Sequence, residues 1–181
     1  MMGRGLQHYL RSGGVIAYPT ESVFGLGCDP ANRRAVQRVL KIKGRPQRKG
    51  LILIATDLRQ LAPYIAPLTP EQQQRLAQSS QKKPYTWVVP RAADCPRWLT
   101  GQHRSVAVRL TAHPLSRKLY LESGTALVST SANRSGGRPA KTTRDCLRRF
   151  ATQAKVIRGR TGGAKRPSTI ADLLTGRILR K

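Results

Sequence analysis

Apolar positions fall in short dense blocks separated by polar, glycine- and proline-rich stretches. "VIAY" at 15–18, "LILIA" at 51–55, "YTWVVP" at 85–90 and "TALVST" at 125–130 are compact apolar runs that predict buried strands. "SVAVRL" at 105–110 alternates and predicts another. "AKVIRG", "STIADL" and "GRILR" predict short strands or strand–helix junctions toward the C-terminus. Helical patterns lie between these blocks. One covers 4–12 and ends at Gly13-Gly14. A second covers 33–42, opens at Asn32 or Pro30, keeps Ala35, Val36, Val39, Leu40 and Ile42 on one side, and stops near Gly44. Further helices are predicted over 57–66 and 70–78, divided by Pro67 and Pro70, over 113–124 between Pro114 and Gly124, and over 142–150. In "SVFGLGCDP", Gly25 and Gly27 suggest close backbone approach or unusual φ, and alone they are a weak phosphate-loop signal.

Strands alternating with helices predict an α/β layer around a partly parallel sheet. With 181 residues, no internal repeat and no long linker, residues 1–181 read as one domain. Cys28, Cys95 and Cys146 are odd in number and far apart, which fits neither a disulfide framework nor a C-x-x-C metal site. His8, His103 and His113 also lack ligand spacing, so no metal site is expected from the protein. The N-terminal stretch has no apolar core of the secretory kind, and no window approaches the ~18 apolar residues of a membrane span. The expectation is a cytoplasmic protein without a membrane partner.

Charge changes this picture. Lys and Arg number 34 against 8 Asp and Glu, a formal charge of +26. Such an excess speaks to anionic partners, nucleotides or RNA, more than to fold. Eleven of these cations lie in 134–166, where the single acid is Asp145.

Several chemistries are excluded by what is missing. There is no G-x-x-x-x-G-K-[ST] phosphate loop, since "GRTGGAKRPS" places alanine before Lys165; strand-linked G-x-G-x-x-G and the G-x-S-x-G elbow are absent too. With so few acids, paired carboxylates have no support from spacing. Cations and hydroxyls remain, and they suit negative charge on phosphate. Three segments supply them after predicted strands, where open α/β sheets place their ligands: "YPTES" with Thr20 and Ser22, "KIKGRP" with Lys41, Lys43 and Arg45, and "STSANRSG" with Ser129, Thr130, Ser131 and Asn133. Each segment alone is equally an ordinary turn, capping loop or solvated face.

Taken together, "VIAYPTESVFGLGCDP", "KIKGRP" followed by "KGLILIA", "SVAVRLTAHP", "LVSTSANRSG" and "RPSTIADLLTGRILR" resemble, in order and spacing, the YrdC/TsaC family of threonylcarbamoyl-AMP synthases, over about residues 10–180. The resemblance is to the short, single-domain bacterial form. It implies a YrdC-like twisted mixed β-sheet flanked by helices, with an open basic concave cleft. It also implies that L-threonine, bicarbonate or CO2 and ATP yield threonylcarbamoyl-adenylate and pyrophosphate, the first step of t6A modification of tRNA. By the same resemblance, Lys43 and Arg45 match a K-x-R pair that holds the triphosphate, with Lys41 assisting from the helix end. Ser131 and Asn133 match an S-x-N motif between threonine and α-phosphate. Thr20, Arg109 and Ser168 fall at threonine-side positions, Arg109 suited to the substrate carboxylate. Ser105, Ser129 and Arg180 fall on the ATP side. Mg2+ is implied through the ATP phosphates rather than through protein carboxylates, and a separate threonylcarbamoyl transferase complex is implied downstream.

Two features depart from the family pattern. A W-P-G-P-x-T segment is replaced by "QKKPYTW", so that Gln81, Lys82 and Lys83 stand for Trp, Pro and Gly; a left-handed turn there would cost Lys83 about 1 kcal/mol and alter activity. The family does not require a charge of +26, and the excess suggests a surface for tRNA or double-stranded RNA. An RNA-binding factor on the same fold with reduced catalysis, or a carbamoyl-transfer domain with another substrate, are the competing readings.

Overall fold

The computed structural model describes the backbone of residues 3–82 and 84–180 and the side chains of 5–78 and 84–180. In chain order the elements are α1 (Gly3–Arg11), β1 (Ile16–Pro19), β2 (Phe24–Cys28), α2 (Arg33–Lys43), β3 (Ile52–Ala55), α3 (Pro70–Lys82), β4 (Tyr85–Pro90), α4 (Arg97–Thr100), β5 (Ser105–Leu110), α5 (Pro114–Ser123), β6 (Leu127–Ser131), α6 (Thr143–Phe150), β7 (Lys155–Val156), β8 (Thr169–Asp172) and β9 (Ile178–Arg180). Among the described residues nine strands join one mixed sheet in the order β7-β1-β2-β6-β3-β5-β4-β8-β9. The β1/β7, β3/β5 and β4/β8 pairs are parallel and the rest antiparallel.

Alternation along the strands sorts the side chains onto two faces. One face is the main core. Phe24, Leu26 and Cys28 of β2, Leu53 and Ala55 of β3, Val106 and Val108 of β5 and Val128 of β6 pack there with Ala35, Val36 and Val39 of α2, Leu76 of α3 and Phe150 of α6. The opposite face divides in two. At one side α1 and α5 lay Leu6, Leu10, Leu119 and Tyr120 over Ile16, Tyr18, Ile54 and Leu127. The rest, centred on β6, β3 and β5, is left open as a cleft.

The helix caps follow the local signals. Asn32 accepts from the Ala35 amide at 3.0 Å, and Gly44 closes α2 in the left-handed region at φ 62°, returning its amide to Leu40 and Lys41. A Cβ on Gly44 would meet nothing within 4 Å, so glycine serves the backbone conformation there and not a close approach.

Two stretches differ from the expectation. Residues 57–66 hold a 3-10 turn at Leu58–Gln60 in place of a helix. Pro63 within that stretch removes an amide and crowds the preceding turn, and Ile65 instead forms an isolated antiparallel bridge with Arg91. "FGLGC" is a strand, β2, between β1 and β6, although glycine is disfavoured in strands. The reason is close approach: a Cβ on Gly27 would stand 2.8 Å from both the Tyr18 ring and the Val128 carbonyl oxygen. Neither Gly25 nor Gly27 has positive φ. The altered family segment at Gln81, Lys82 and Lys83 lies outside the described side chains, and Lys83 outside the described residues.

Candidate functional site

The open half of the sheet face forms a cleft of about 720 Å3. Thr20, Lys43, Arg45, Ser105, Arg109, Ser129, Ser131, Asn133, Ser168 and Arg180, scattered over 161 positions of chain, all line it. Lys41 does not: it is exposed on α2, because at 3.6 residues per turn position 41 points away from the face that buries Lys43. No Asp or Glu is among the described lining residues, whereas Lys49, Lys141, Lys165 and Arg166 join the cations already named.

The two motif pairs meet at one side chain. The Lys43 ammonium reaches the Ser131 carbonyl at 2.8 Å, the Ser131 hydroxyl at 3.1 Å, the Asn133 Oδ1 at 2.8 Å and the Asn133 carbonyl at 3.3 Å. Ser131 in turn donates to Asn133 Oδ1 at 2.6 Å, and Asn133 Nδ2 donates to the carbonyls of Arg134 and Gly137. The Lys43 carbonyl closes the network by accepting from the Ser135 amide at 2.7 Å. Every donor of the S-x-N pair is therefore spent inside the protein. The wall presents a fixed positive charge rather than free hydroxyl and amide donors. Burial first, then the charge of Arg45, lower the Lys43 ammonium to about 8.

Arg45 folds back on its own loop, its guanidinium donating to the Gly50 carbonyl at 3.2 and 3.0 Å and to Lys49 at 3.3 Å. That loop is seated on α4: the Leu51 amide donates to Leu99 at 2.8 Å. Gly101, at φ 63°, lies so close that a Cβ there would stand 2.5 Å from the Arg48 carbonyl oxygen.

Arg109, on β5, pairs with Glu21 at 3.5 Å; both side chains are nearly buried. Thr111 donates to the other carboxylate oxygen at 2.6 Å. Burial works to raise the Glu21 pKa, but Arg109 and the Thr111 hydroxyl outweigh it and hold the carboxyl below its usual range. Two buried atoms here have no hydrogen-bond partner among the described residues, Nε of Arg109 and Oε2 of Glu21. Arg109 lines the cleft, and a guanidinium there suits an incoming carboxylate.

Two further hydroxyls are held by neighbours. Thr20 donates to the Val23 carbonyl at 2.7 Å, and Ser168 shares a 2.8 Å hydrogen bond with the buried Thr86. The Arg180 guanidinium donates to the Ser168 carbonyl at 3.0 Å. "GRTGGAKRPS", which fails as a phosphate loop, is the wall beside Thr20. Its Gly162 and Ala164 amides donate to the carbonyls of Thr20 and Glu21, setting Lys165 and Arg166 on the rim. Sequence reasoning also missed the buried pair Tyr18 and Tyr120, whose hydroxyls lie 2.6 Å apart behind Ser129; a pairing across 102 positions has no local signature. Among the described residues no group of three or more His, Cys, Asp or Glu is placed to hold a metal ion.

Residues 8–181 match the Sua5/YciO/YrdC family model, described as "Telomere recombination". The chain is 61% identical over 180 residues to the threonylcarbamoyl-AMP synthase of Methylobacillus flagellatus, with 99% of each chain covered. It is 52% identical over 176 residues to the threonylcarbamoyl-AMP synthase of Thiobacillus denitrificans, covering 97% of this chain and 93% of that relative. Among solved structures, P. abyssi Sua5 complexed with L-threonine is similar with a TM-score of 0.84 and 32% identity. That match covers 95% of this chain and 51% of the other, so this chain spans about half the length of that structure.

Proposed function

The chain belongs to the Sua5/YciO/YrdC family, and on that premise we propose that it is a threonylcarbamoyl-AMP synthase. L-threonine, bicarbonate or CO2 and ATP become L-threonylcarbamoyladenylate and pyrophosphate, toward t6A in tRNA. The observation that carries this reading is the junction of Lys43 with both Ser131 and Asn133 in the wall of the cleft that Arg109 also lines.

The threonine carboxylate pairs with Arg109, and the hydroxyls of Thr20 and Ser168 border the same subsite. The threonine amine adds to CO2, forming an N–C bond as one C=O π bond opens onto oxygen and the ammonium proton passes to solvent. A carbamate oxygen then attacks the α-phosphorus as the Pα–O bond to pyrophosphate breaks. Charge moves onto the leaving oxygens, so the protein's share is positioning and electrostatic stabilisation. Lys43 contributes a charge already held in place, with no reorganisation needed as the reaction proceeds. Arg45 can exchange its carbonyl partners for the bidentate phosphate contact a guanidinium favours. Ser105, Ser129 and Arg180 complete the ATP side. Mg2+ fits this lining only on the triphosphate, whose oxygens and water would ligate it, since the described lining holds hydroxyls and cations but no carboxylate. When bound it supplies charge neutralisation on the phosphates.

The cations of 134–166, all exposed except Arg149, form a second feature of the reading: Lys141, Lys165 and Arg166 line the cleft, and the others offer an outer surface suited to a tRNA phosphate backbone; a separate transferase complex consumes the labile adenylate. The direct test supplies ATP, L-threonine, bicarbonate and Mg2+ and measures threonine-dependent pyrophosphate. A wild-type chain that releases none, and whose Lys43→Ala variant is indistinguishable from it, overturns the proposal.

A further inference from the structure

Three stretches that lie far apart in sequence converge behind the ATP side of the cleft. Tyr18 of β1 sits directly across from Gly25 of β2, and Gly27 of β2 directly across from Ser129 of β6. The two glycines are what lets the third stretch in. A Cβ on Gly25 would stand 3.2 Å from Ser129 Oγ, and one on Gly27 would stand 2.8 Å from the Tyr18 ring. Tyr18 therefore lies flat across β2, where any larger residue would push it away. Its hydroxyl donates to Ser129 Oγ at 2.7 Å. Tyr120 arrives from α5 on the covered half of the face, its ring edge-on to Tyr18 at 86° and its hydroxyl 2.6 Å from the Tyr18 hydroxyl.

A phenol has one proton. Since Tyr18 gives its proton to Ser129, the proton between the two phenols belongs to Tyr120. Both rings are fully buried, and burial, the largest influence on each, raises both phenols above their usual value, so both remain neutral donors. Ser129 Oγ is thus an acceptor on its inner side, which leaves its own proton for the cleft that it lines.

We propose that Tyr120 and Tyr18 are positioning residues, a buried donor chain that fixes the Ser129 hydroxyl as a hydrogen-bond donor to the nucleotide. The inference rests on the reading of the cleft as an ATP site. Donor chains polarise each bond in turn, and a hydroxyl held in one rotamer loses no freedom when the phosphate or ribose oxygen arrives. The reading also accounts for the paired glycines of "FGLGC".

A double-mutant cycle tests it. Tyr18→Phe should lower kcat/KM for ATP about 3- to 10-fold, the range of one hydrogen bond, leave KM for threonine within twofold, and cost nothing further in a Ser129→Ala background. Tyr120→Phe should act in the same direction by about twofold, since Tyr18 still donates. If Tyr18→Phe, which strands the Tyr120 hydroxyl in the core, fails to fold, Tyr18→Phe/Tyr120→Phe removes both hydroxyls together and takes its place in the cycle. Calorimetric binding of a non-hydrolysable ATP analogue reads the same coupling without turnover. Equal losses with and without the Ser129 hydroxyl, or no loss, overturn the donor chain while pyrophosphate release by the wild type stands. A wild type that binds the analogue with the expected coupling but releases no pyrophosphate retains the chain and overturns the synthase reading. A wild type that neither binds nor turns over removes both.

Discussion

The ammonium of Lys43 lies 2.8 Å from Oδ1 of Asn133, tying the last residue of α2 to the loop after β6 across 90 positions of sequence. The contact makes one charge serve two purposes. It organises the S-x-N loop, and it sets a cation in the cleft wall.

Lys43→Ala should therefore fail in both respects. The variant leaves the Asn133 Oδ1 and the Ser131 carbonyl short of a donor, and pyrophosphate release should fall by about 10²- to 10³-fold in kcat/KM, as for loss of a preorganised stabilising group. Steady-state kinetics with thermal melting measures this; a variant of full activity contradicts the proposed role.

The lowered pKa of Lys43 gives activity and stability opposite pH trends. Unfolded, the residue titrates near 10.5; folded, near 8. Between those values the unfolded chain holds the proton that the folded chain releases, so this residue's contribution to stability rises with pH across that window and is a constant cost below 8. Activity depends on the charged form, so kcat/KM for ATP should fall through one ionisation near pH 8. Bound triphosphate favours the cation, so the corresponding limb in kcat should lie at higher pH.

Glu21 behaves in the acid range. Its carboxyl is held below the usual value near 4.5, so the stability it contributes is fully present above that value and is lost as pH falls through the folded pKa. Glu21→Gln should flatten the acid limb of a melting-temperature profile. It should also raise KM for threonine about tenfold or less, because Arg109 loses the partner that holds its guanidinium at 3.5 Å.

Gly101→Ala should loosen the phosphate side from a distance. A Cβ at φ 63° would press on the Arg48 and Gln47 carbonyls at 2.5 and 2.6 Å, costing about 2–4 kcal/mol through backbone strain and overpacking. That is roughly 5–15 °C in Tm for a chain of this size. The Arg45 loop should shift with it, so KM for ATP should rise more than KM for threonine.

Lys41 and Arg45, two cations of one charged run, should separate cleanly. Arg45→Ala should raise KM for ATP about tenfold or more, whereas Lys41→Ala, exposed and outside the cleft, should stay within about twofold. Equal effects would mean that the run acts as a general basic surface.

Much of the sheet was legible in the sequence because buried strands in this chain are short, dense and apolar. "LILIA" and "YTWVVP" place β3 and β4 within a residue of where they lie, and Asn32 and Gly44 mark both ends of α2. β2 was missed because its sequence breaks the strand preference; only Tyr18 and Val128, packed against it, explain the glycines. The helix expected at 57–66 shows the reverse error, an apolar spacing overruled by a single proline. Within the site, the hydroxyl and cation segments identified most of the lining. Of "GRTGGAKRPS", which holds no phosphate-loop motif, only Ser168 is assigned to the cleft from the sequence; backbone amides, not a motif, bring the rest to the rim.

By itself, the sequence determined the strand and helix periodicity, the excess of cations over acids, and the residue types available for phosphate and carboxylate. Those properties are local or additive, and spacing along the chain carries them. The tertiary structure alone decided which cations are tied and which are free. Lys43 is spent on Ser131 and Asn133, Arg45 rests on Gly50, Lys41 faces outward, and Ser129 is backed by Tyr18 and Tyr120. A hydrogen bond is set by distances of about 3 Å in space, and contacts across 90 or 111 positions exist only once the sheet has brought its strands into register.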